Sequence, residues 1–338
     1  MKLKVAINGF GRIGRVALRI AQKNLNDNIE IVAINARANA ETLQHLFTYD
    51  SCYGKFEGVV EVKDNETLII NGKEIKILRE SDPINLPWEE MGIDIVIEST
   101  GVYNDKESCM KHINAGAKKV IITAPGKNED KTLVMGVNEK SYNPDVYNII
   151  SNASCTTNCL APIVKVLDEK FGVEKGLMTT IHSYTNDQRI LDKTHKDLRR
   201  ARSAGDSIIP TTTGAAKAIA KVLPQLDGKL NGSSVRVPTS SVSMVDLVCE
   251  LKTNVTKEEV NSILKEASQN ELKGILGYNE LPLVSIDYKK DPMSSTIDAL
   301  STMTIGDNMV KIISWYDNEF GYSSRTIDLI NYIASFMI

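Results

Sequence analysis

Cysteine is scarce in this chain, with five among 338 residues: Cys52, Cys109, Cys155, Cys159 and Cys249. They are too few and too scattered for a disulfide framework, so a reducing, cytoplasmic setting is expected. Long apolar runs are also missing. No stretch approaches the ~20 residues needed to span a bilayer, and Met1-Lys2-Leu3-Lys4-Val5 runs straight into a strand, so no cleavable signal is expected. Charge of one sign does not dominate either. The net charge of −3, with both signs interspersed, gives no electrostatic case for nucleic-acid or anionic-membrane partners. Repeats and low-complexity linkers are absent.

What remains is the composition of a soluble enzyme, 42% apolar and 25% charged, with a length of about two domains. Over the first ~150 residues short β-rich runs alternate with helical patterns. Val5–Ile7, Ile29–Ile34, Ile93–Ile97 and Val120–Thr123 read as strands, and Arg15–Asn24 and Ala40–Tyr49 as helices. Val59–Val62 and Thr67–Ile70, followed by Asn71-Gly72, form a hairpin signal. Short, continuously apolar runs suit parallel strands covered on both faces, so this half reads as a doubly wound α/β sheet. After Cys155 come a helix to about Lys170, a strand at Leu177–His182, and strands at Ser234–Val237 and Met244–Thr253 whose alternation suits an antiparallel sheet. Thr326–Ile338 reads as an amphipathic closing helix. The polar stretch Ser183–Ser207 is longer than a compact domain usually tolerates and is expected to be functional.

Three groups of residues carry chemistry. Gly9-Phe10-Gly11-Arg12-Ile13-Gly14 is a G-x-G-x-x-G between a strand and a helix. Such glycines permit a tight turn and close backbone approach to a pyrophosphate at the helix N-terminus. A turn that serves packing alone is the plainer alternative. Secondly, Cys155 lies where a strand gives way to a helix, whose dipole favours a thiolate. Cys159, four residues on, is a turn away at ~5–6 Å, beyond the ~3.8 Å of a disulfide, and no zinc-ligand spacing accompanies the two. Cys155 is therefore a candidate nucleophile, or else one more small buried residue. His45 and His112 sit in helical patterns and His195 in a charged stretch. His182 ends a strand at the mouth of the long loop, where catalytic groups are commonly displayed. Thirdly, Arg199, Arg200, Arg202 and Arg236 are candidates for bidentate phosphate contacts, and Thr211-Thr212-Thr213-Gly214 offers hydroxyls and N–H groups before a helical run at Ala215–Val222. A solvated face or a subunit contact would explain the arginines equally.

These segments, with Ser151-Asn152-Ala153-Ser154-Cys155-Thr156-Thr157-Asn158-Cys159, Asp197-Leu198-Arg199-Arg200-Ala201-Arg202 and Trp315-Tyr316-Asp317-Asn318-Glu319, resemble the phosphorylating glyceraldehyde-3-phosphate dehydrogenase family of the bacterial and chloroplast kind. The likeness runs through essentially the whole chain. It implies a Rossmann-type NAD(P)-binding domain, residues 1–153, completed by a C-terminal helix at 318–338. It also implies an α+β catalytic domain, residues 154–317, with a mainly antiparallel sheet. The loop 183–207 would be the family's S-loop, which packs on a neighbouring subunit in a homotetramer.

The resemblance also implies roles. Cys155 would be the nucleophile and His182 its base. Thr185 and Arg236 would bind the substrate phosphate, and Ser154, Thr156, Thr213 and Gly214, with Arg200 nearby, the inorganic phosphate. Cofactor contacts would come from Gly9, Phe10, Gly11, Arg12, Ile13, Asn35, Ala36, Arg37, Ser81, Thr100, Gly101, Thr123, Lys193, Thr194, Asn318 and Tyr322. No metal is implied. NAD-specific members carry an acid where Ala36 stands and a leucine–proline pair where Lys193-Thr194 stands, so NADP is the expected preference, with NAD also used. Ser81 cuts the other way, since it replaces a customary arginine. Two alternatives stand beside this. The sister enzyme erythrose-4-phosphate dehydrogenase is somewhat suggested by Ser183 and Glu280–Ser285, whereas Thr185 and Thr213-Gly214 suit the triose enzyme. A non-catalytic nucleotide-binding or adhesin role would have been suggested by loss of Cys155 or His182, and both are present.

Overall fold

The structure, a computed structural model, describes residues 2–338, and it divides the chain into two units. The first runs to Leu133, takes up again at Lys140–Ala153 and ends with Ser323–Ile338; the second comprises Val134–Glu139 and Ser154–Tyr322. Residues 134–139 and 318–322 thus fall on the other side of the division from the expected boundaries.

At the centre of the first unit lies β1 (Leu3–Asn8), whose Val5, Ala6 and Ile7 have no exposed surface. It is followed by α1 (Arg12–Asn24), β2 (Ile29–Asn35), α2 (Ala40–Thr48) and a small β3–β4 ribbon (Tyr49–Asp50, Gly54–Lys55). Next come β5 (Val60–Asp64), β6 (Thr67–Ile70), β7 (Lys73–Leu78), α3 (Trp88–Met91), β8 (Ile95–Glu98), α4 (Lys106–Asn114), β9 (Lys119–Ile122), β10 (Lys131–Thr132) and β11 (Ile149–Ser151). The sheet order is β10-β11-β9-β8-β1-β2-β7-β6-β5. Every pair from β10 to β7 is parallel, and β6 and β5 add an antiparallel edge. This is the doubly wound sheet expected from the buried apolar runs. The chain steps from β1 to β2 on one side and places β8 on the other, so the strand order reverses between β1 and β8, where such sheets open a ligand crevice. The expected hairpin proves to be a three-strand meander. Asn71 and Gly72 turn between β6 and β7 with φ of 50° and 79°, the left-handed pair of a two-residue turn.

The second unit opens with α5 (Cys155–Phe171) and β12 (Val173–Ser183), then β13 (Ile209–Thr212), α6 (Ala215–Val222), β14 (Leu230–Val237) and β15 (Ser243–Leu251). It continues with α7 (Lys257–Gln269), β16 (Leu276–Asn279), β17 (Ser295–Asp298), β18 (Met303–Ile305) and β19 (Met309–Tyr316). Its eight-stranded sheet runs β13-β14-β12-β15-β19-β17-β16, with β18 against β19. Pairing is mostly antiparallel, the exceptions being β12 with β14 and β16 with β17. β15 alternates strictly between buried and half-buried positions, as a sheet with one packed face requires. The closing helix, α8 (Phe320–Ala334), begins earlier than the apolar pattern indicates. Asp317 Oδ1 accepts from the N–H groups of Glu319 and Phe320 at 3.1 and 2.9 Å, which caps the start. Among the described residues no helix is long and apolar enough to cross a membrane.

Candidate active site

In the second unit Ser154 is the N-cap of α5, its Oγ accepting from Thr157 N–H at 3.0 Å, so Cys155 is the first helical residue. Just before it Ala153 holds φ 56°, a left-handed bend that non-glycine residues seldom adopt. His182 is the penultimate residue of β12, buried, with Nε2 3.5 Å from Cys155 Sγ. Its Nδ1 lies 2.7 Å from the Ser183 carbonyl oxygen, which can only accept, and 3.2 Å from Arg236 Nη1, which can only donate. The much shorter contact favours the tautomer in which Nδ1 carries the proton and donates it to Ser183 O. The lone pair of Nε2 is thereby left to face the thiol.

Burial is the main influence on the charge of both partners. It pushes the His182 imidazole down to about 3, and the adjacent Arg236 charge pushes the same way. It also pushes the Cys155 thiol up, against the Arg236 charge and hydrogen bonds from Thr156. The expectation that the helix start favours a thiolate is thus outweighed. Both directions favour the uncharged thiol and imidazole over the ion pair. Cys159 is fully buried, its thiol pushed up to about 12 by burial, with Ser295 Oγ at 3.5 Å.

Arg236 lies opposite His182 in the parallel β12–β14 pairing. Its Nη1 donates to Thr185 Oγ1 at 3.2 Å and to Ser183 O at 3.3 Å, while its buried Nε has no hydrogen-bond partner among the described residues. An unsatisfied buried guanidinium N–H beside a threonine hydroxyl suits an anion. Arg200 is held otherwise: Nε donates to Thr211 Oγ1 at 3.0 Å, Nη2 to Thr212 O at 3.3 Å, and Nη1 pairs with Asp187. Thr213 Oγ1 accepts from Ala215 N–H at 3.2 Å, and Gly214 is the N-cap of α6 without a side-chain cap. The Thr156 hydroxyl is buried against Tyr316 OH at 2.9 Å, which leaves its backbone as the group available to a ligand. Arg199 and Arg202 point elsewhere. Arg199 reaches Pro210 O at 3.4 Å, and Arg202 pairs with Asp192 at 2.9 Å. The long loop is folded on itself, with Lys193 N–H on Ala201 O at 3.0 Å and Arg189 Nε on Thr194 O at 3.2 Å, leaving Lys193 and Thr194 exposed.

In the first unit the fingerprint glycines have separable functions. A Cβ on Gly14 would stand 2.3 Å from the Gly9 carbonyl oxygen, and one on Gly9, at φ 95°, 2.6 Å from Thr100 N. One on Gly11 would meet nothing within 4 Å. Gly11 is the N-cap of α1, with no side-chain cap and no acid in the first turn. A Cβ would fill the cradle at Gly11, and among the described residues no side chain caps the helix start, so these residues fit a pyrophosphate. Phe10 stacks on Phe47, Ile13 is half-buried, and Arg12 pairs with Asp50 at 2.5 Å. Asn35 is spent inside, bonding Asn8 Oδ1 at 2.7 Å and Glu80 O at 2.9 Å, while Thr123 Oγ1 donates to Glu98 O at 3.0 Å. Ala36 ends the β2 region half-buried; Arg37, Ser81, Thr100 and Gly101 are exposed. Asn318 and Tyr322 are buried in the second unit. Glu98 was not anticipated. It is buried, its Oε1 accepting from Thr100 N–H at 2.8 Å and its Oε2 3.1 Å from His112 Nε2. The Thr100 contact is local, but Oε2 also accepts from Asn8 Nδ2, 90 residues away, a pairing that leaves no sequence signal. Among the described residues no cluster of metal-ligating side chains occurs.

Two family models cover the chain in order: the glyceraldehyde 3-phosphate dehydrogenase NAD binding domain at residues 3–106 and the C-terminal domain at 154–318. The chain is 62% identical to glyceraldehyde-3-phosphate dehydrogenase of Geobacillus stearothermophilus over 99% of each chain. It is 59% identical to glyceraldehyde-3-phosphate dehydrogenase 2 of Bacillus subtilis, over 100% of this chain and 98% of that one. With the chloroplastic glyceraldehyde-3-phosphate dehydrogenase GAPB of Arabidopsis thaliana it shares 56%, over 99% of this chain and 75% of that one. A Rossmann-type unit with matches of this kind defines an oxidoreductase with a nicotinamide cofactor. Identity at this level over the full length settles the matter more narrowly: the chain belongs to the glyceraldehyde-3-phosphate dehydrogenase family.

Proposed function

We propose that the protein catalyses the reversible, phosphorylating oxidation of D-glyceraldehyde 3-phosphate to 1,3-bisphosphoglycerate, with NADP preferred over NAD. The observation that carries the chemistry is the Cys155 Sγ to His182 Nε2 approach of 3.5 Å, with the tautomer fixed by Ser183 O. His182 takes the thiol proton as sulfur adds to the aldehyde carbon and returns it to the resulting alkoxide, giving a thiohemiacetal and a neutral imidazole. The bound nicotinamide supplies a two-electron acceptor for the oxidation that follows. His182 takes the hydroxyl proton in that step, which leaves a thioester on Cys155. Inorganic phosphate then attacks the thioester carbon, the C–S bond breaks, and the acyl phosphate departs as His182 returns the proton to sulfur. The Cys155 N–H and His182 stabilise the oxyanion. Arg236 with Thr185 holds the substrate phosphate, and Ser154, the Thr156 backbone, Thr213 and Gly214 take the attacking phosphate in the field of Arg200.

Preference for NADP is supported by the absence of a carboxylate at Ala36 and by the exposed Arg37 beside it. A carboxylate at that strand end binds the ribose hydroxyls and repels a 2′-phosphate. Lys193 and Thr194 of the S-loop, through a neighbouring subunit, add to the same preference. One charge-assisted contact is worth ~1.5–3 kcal/mol, roughly one to two powers of ten.

The test is kcat/KM for both cofactors, with glyceraldehyde 3-phosphate and erythrose 4-phosphate side by side, in the native enzyme and in Ala36→Asp. NADP and the triose should be favoured, and the aspartate should selectively damage NADP use. A tenfold preference for NAD, or an unchanged ratio in Ala36→Asp, overturns the cofactor assignment. A preference for the four-carbon aldehyde overturns the substrate.

A further inference from the structure

Three strand ends of the second unit converge behind His182. β12 ends at Ser183, β15 begins at Ser243, and Asn318 lies two residues beyond the end of β19. The pairings of Ile181 with Met244 and of Ser243 with Tyr316 bring these ends together. All three side chains are buried. Ser183 Oγ is 2.8 Å from Asn318 Oδ1, and Ser243 Oγ is 3.1 Å from the same oxygen. Ser243 Oγ also accepts the Ser183 backbone N–H at 3.1 Å.

Proton bookkeeping fixes the direction of these bonds. Each hydroxyl has one proton. The Ser183 N–H occupies the acceptor side of Ser243, so the Ser243 proton is free to go to Asn318, and Ser183 Oγ donates there as well. If the amide were flipped, its NH2 would face both hydroxyls. The Ser183 proton would then have no acceptor, and the Ser243 proton only Ser183 Oγ at 3.5 Å. Two donors therefore hold Oδ1 inward and turn the amide NH2 outward, and no protein acceptor for Nδ2 is found among the described residues.

We infer that Ser183 and Ser243 are positioning residues that lock the Asn318 amide, so that the enzyme reads an acceptor, the carbonyl oxygen of a nicotinamide carboxamide. The inference rests on the proposed role of Asn318 as the carboxamide contact. Ser183 serves twice: its carbonyl sets the His182 tautomer and its hydroxyl sets the Asn318 amide, so base and cofactor reader are fixed from one residue.

The test is calorimetric binding of the ordinary dinucleotide and of its 3-acetylpyridine analogue, which keeps the carbonyl but replaces the NH2 by a methyl group. The native enzyme should bind the two within a few-fold. In Ser183→Ala/Ser243→Ala the freed amide can turn its oxygen outward. The natural carboxamide can rotate to meet it with NH2, whereas the analogue cannot. The analogue-to-natural Kd ratio should rise about fivefold or more, an effect that general loosening of the strand ends would not produce. Asn318→Asp keeps both serine bonds and presents oxygen outward, so the same rise is expected there should the double variant fail to fold. An unchanged ratio in the folded double variant, or in Asn318→Asp, overturns the lock. If Asn318→Ala binds both dinucleotides like the native enzyme, Asn318 does not touch the cofactor, and the underlying assignment falls together with the lock. Weakened binding in Asn318→Ala with an unchanged ratio in the double variant removes the lock alone.

Discussion

Arg236 acts on both members of the thiol–imidazole pair. Its charge disfavours an imidazolium and so adds to the burial that holds His182 near 3; the same charge favours a thiolate and so opposes the burial that raises Cys155. Replacing it with an apolar residue should therefore move both upward. In Arg236→Leu the pH profile of Cys155 alkylation, followed as the mass of the labelled peptide, should shift to higher pH, because the charge that favours the thiolate is gone. A profile that stays put would mean that Arg236 does not govern the thiol. The sign for stability follows from the same residue. His182 titrates lower in the folded chain than its ordinary 6.5, so the unfolded chain binds the extra proton between about 6.5 and 3, and stability falls as pH drops through that window. In the proposed site, a substrate phosphate on Arg236 would offset its charge and ready His182 to accept a proton.

The helix starts separate two kinds of glycine. Gly14→Ala forces its methyl into the Gly9 carbonyl and should lower both thermal stability and dinucleotide affinity. Gly11→Ala meets nothing, so its melting temperature should stay within a few degrees of the native value while dinucleotide affinity falls at least tenfold, measured by calorimetry. Equal affinity in Gly11→Ala would return the fingerprint to a packing role. Elements of this kind were legible because their causes are local: buried apolar runs for β1, β8 and β9, an Asn-Gly pair for the β6–β7 turn, and glycines between strand and helix. The start of α8 was not, because its first turn contains a glycine and its cap is an aspartate that no apolar period marks. The inward turn of the Thr156 hydroxyl was hidden for another reason. Its partner, Tyr316, is 160 residues away, and only the closed sheet brings the two together.

Assembly belongs to the scale of the whole molecule. Along and just after the long loop, Ile190, Leu191, Leu198 and Ile208 are 85%, 73%, 81% and 71% exposed. Large apolar side chains gathered on one polar loop suit a surface that another subunit covers. In the proposed homotetramer, Leu198→Asp should weaken association and lower activity on dilution to nanomolar concentration, followed by sedimentation and steady-state assay together. A native chain that is monomeric and fully active at micromolar concentration would exclude shared sites. The β12–β14 pairing has a consequence of its own. His182 faces Arg236 only because Ile181 faces Val235 and Ser183 faces Val237. A slip of one residue would turn every side chain of the strand to the opposite face, leaving a sheet with nearly the same hydrogen bonds and no functional centre. The recovery of catalysis after refolding is thus a checksum on strand register, one that circular dichroism cannot supply, because a slipped chain would have the same spectrum and be inert.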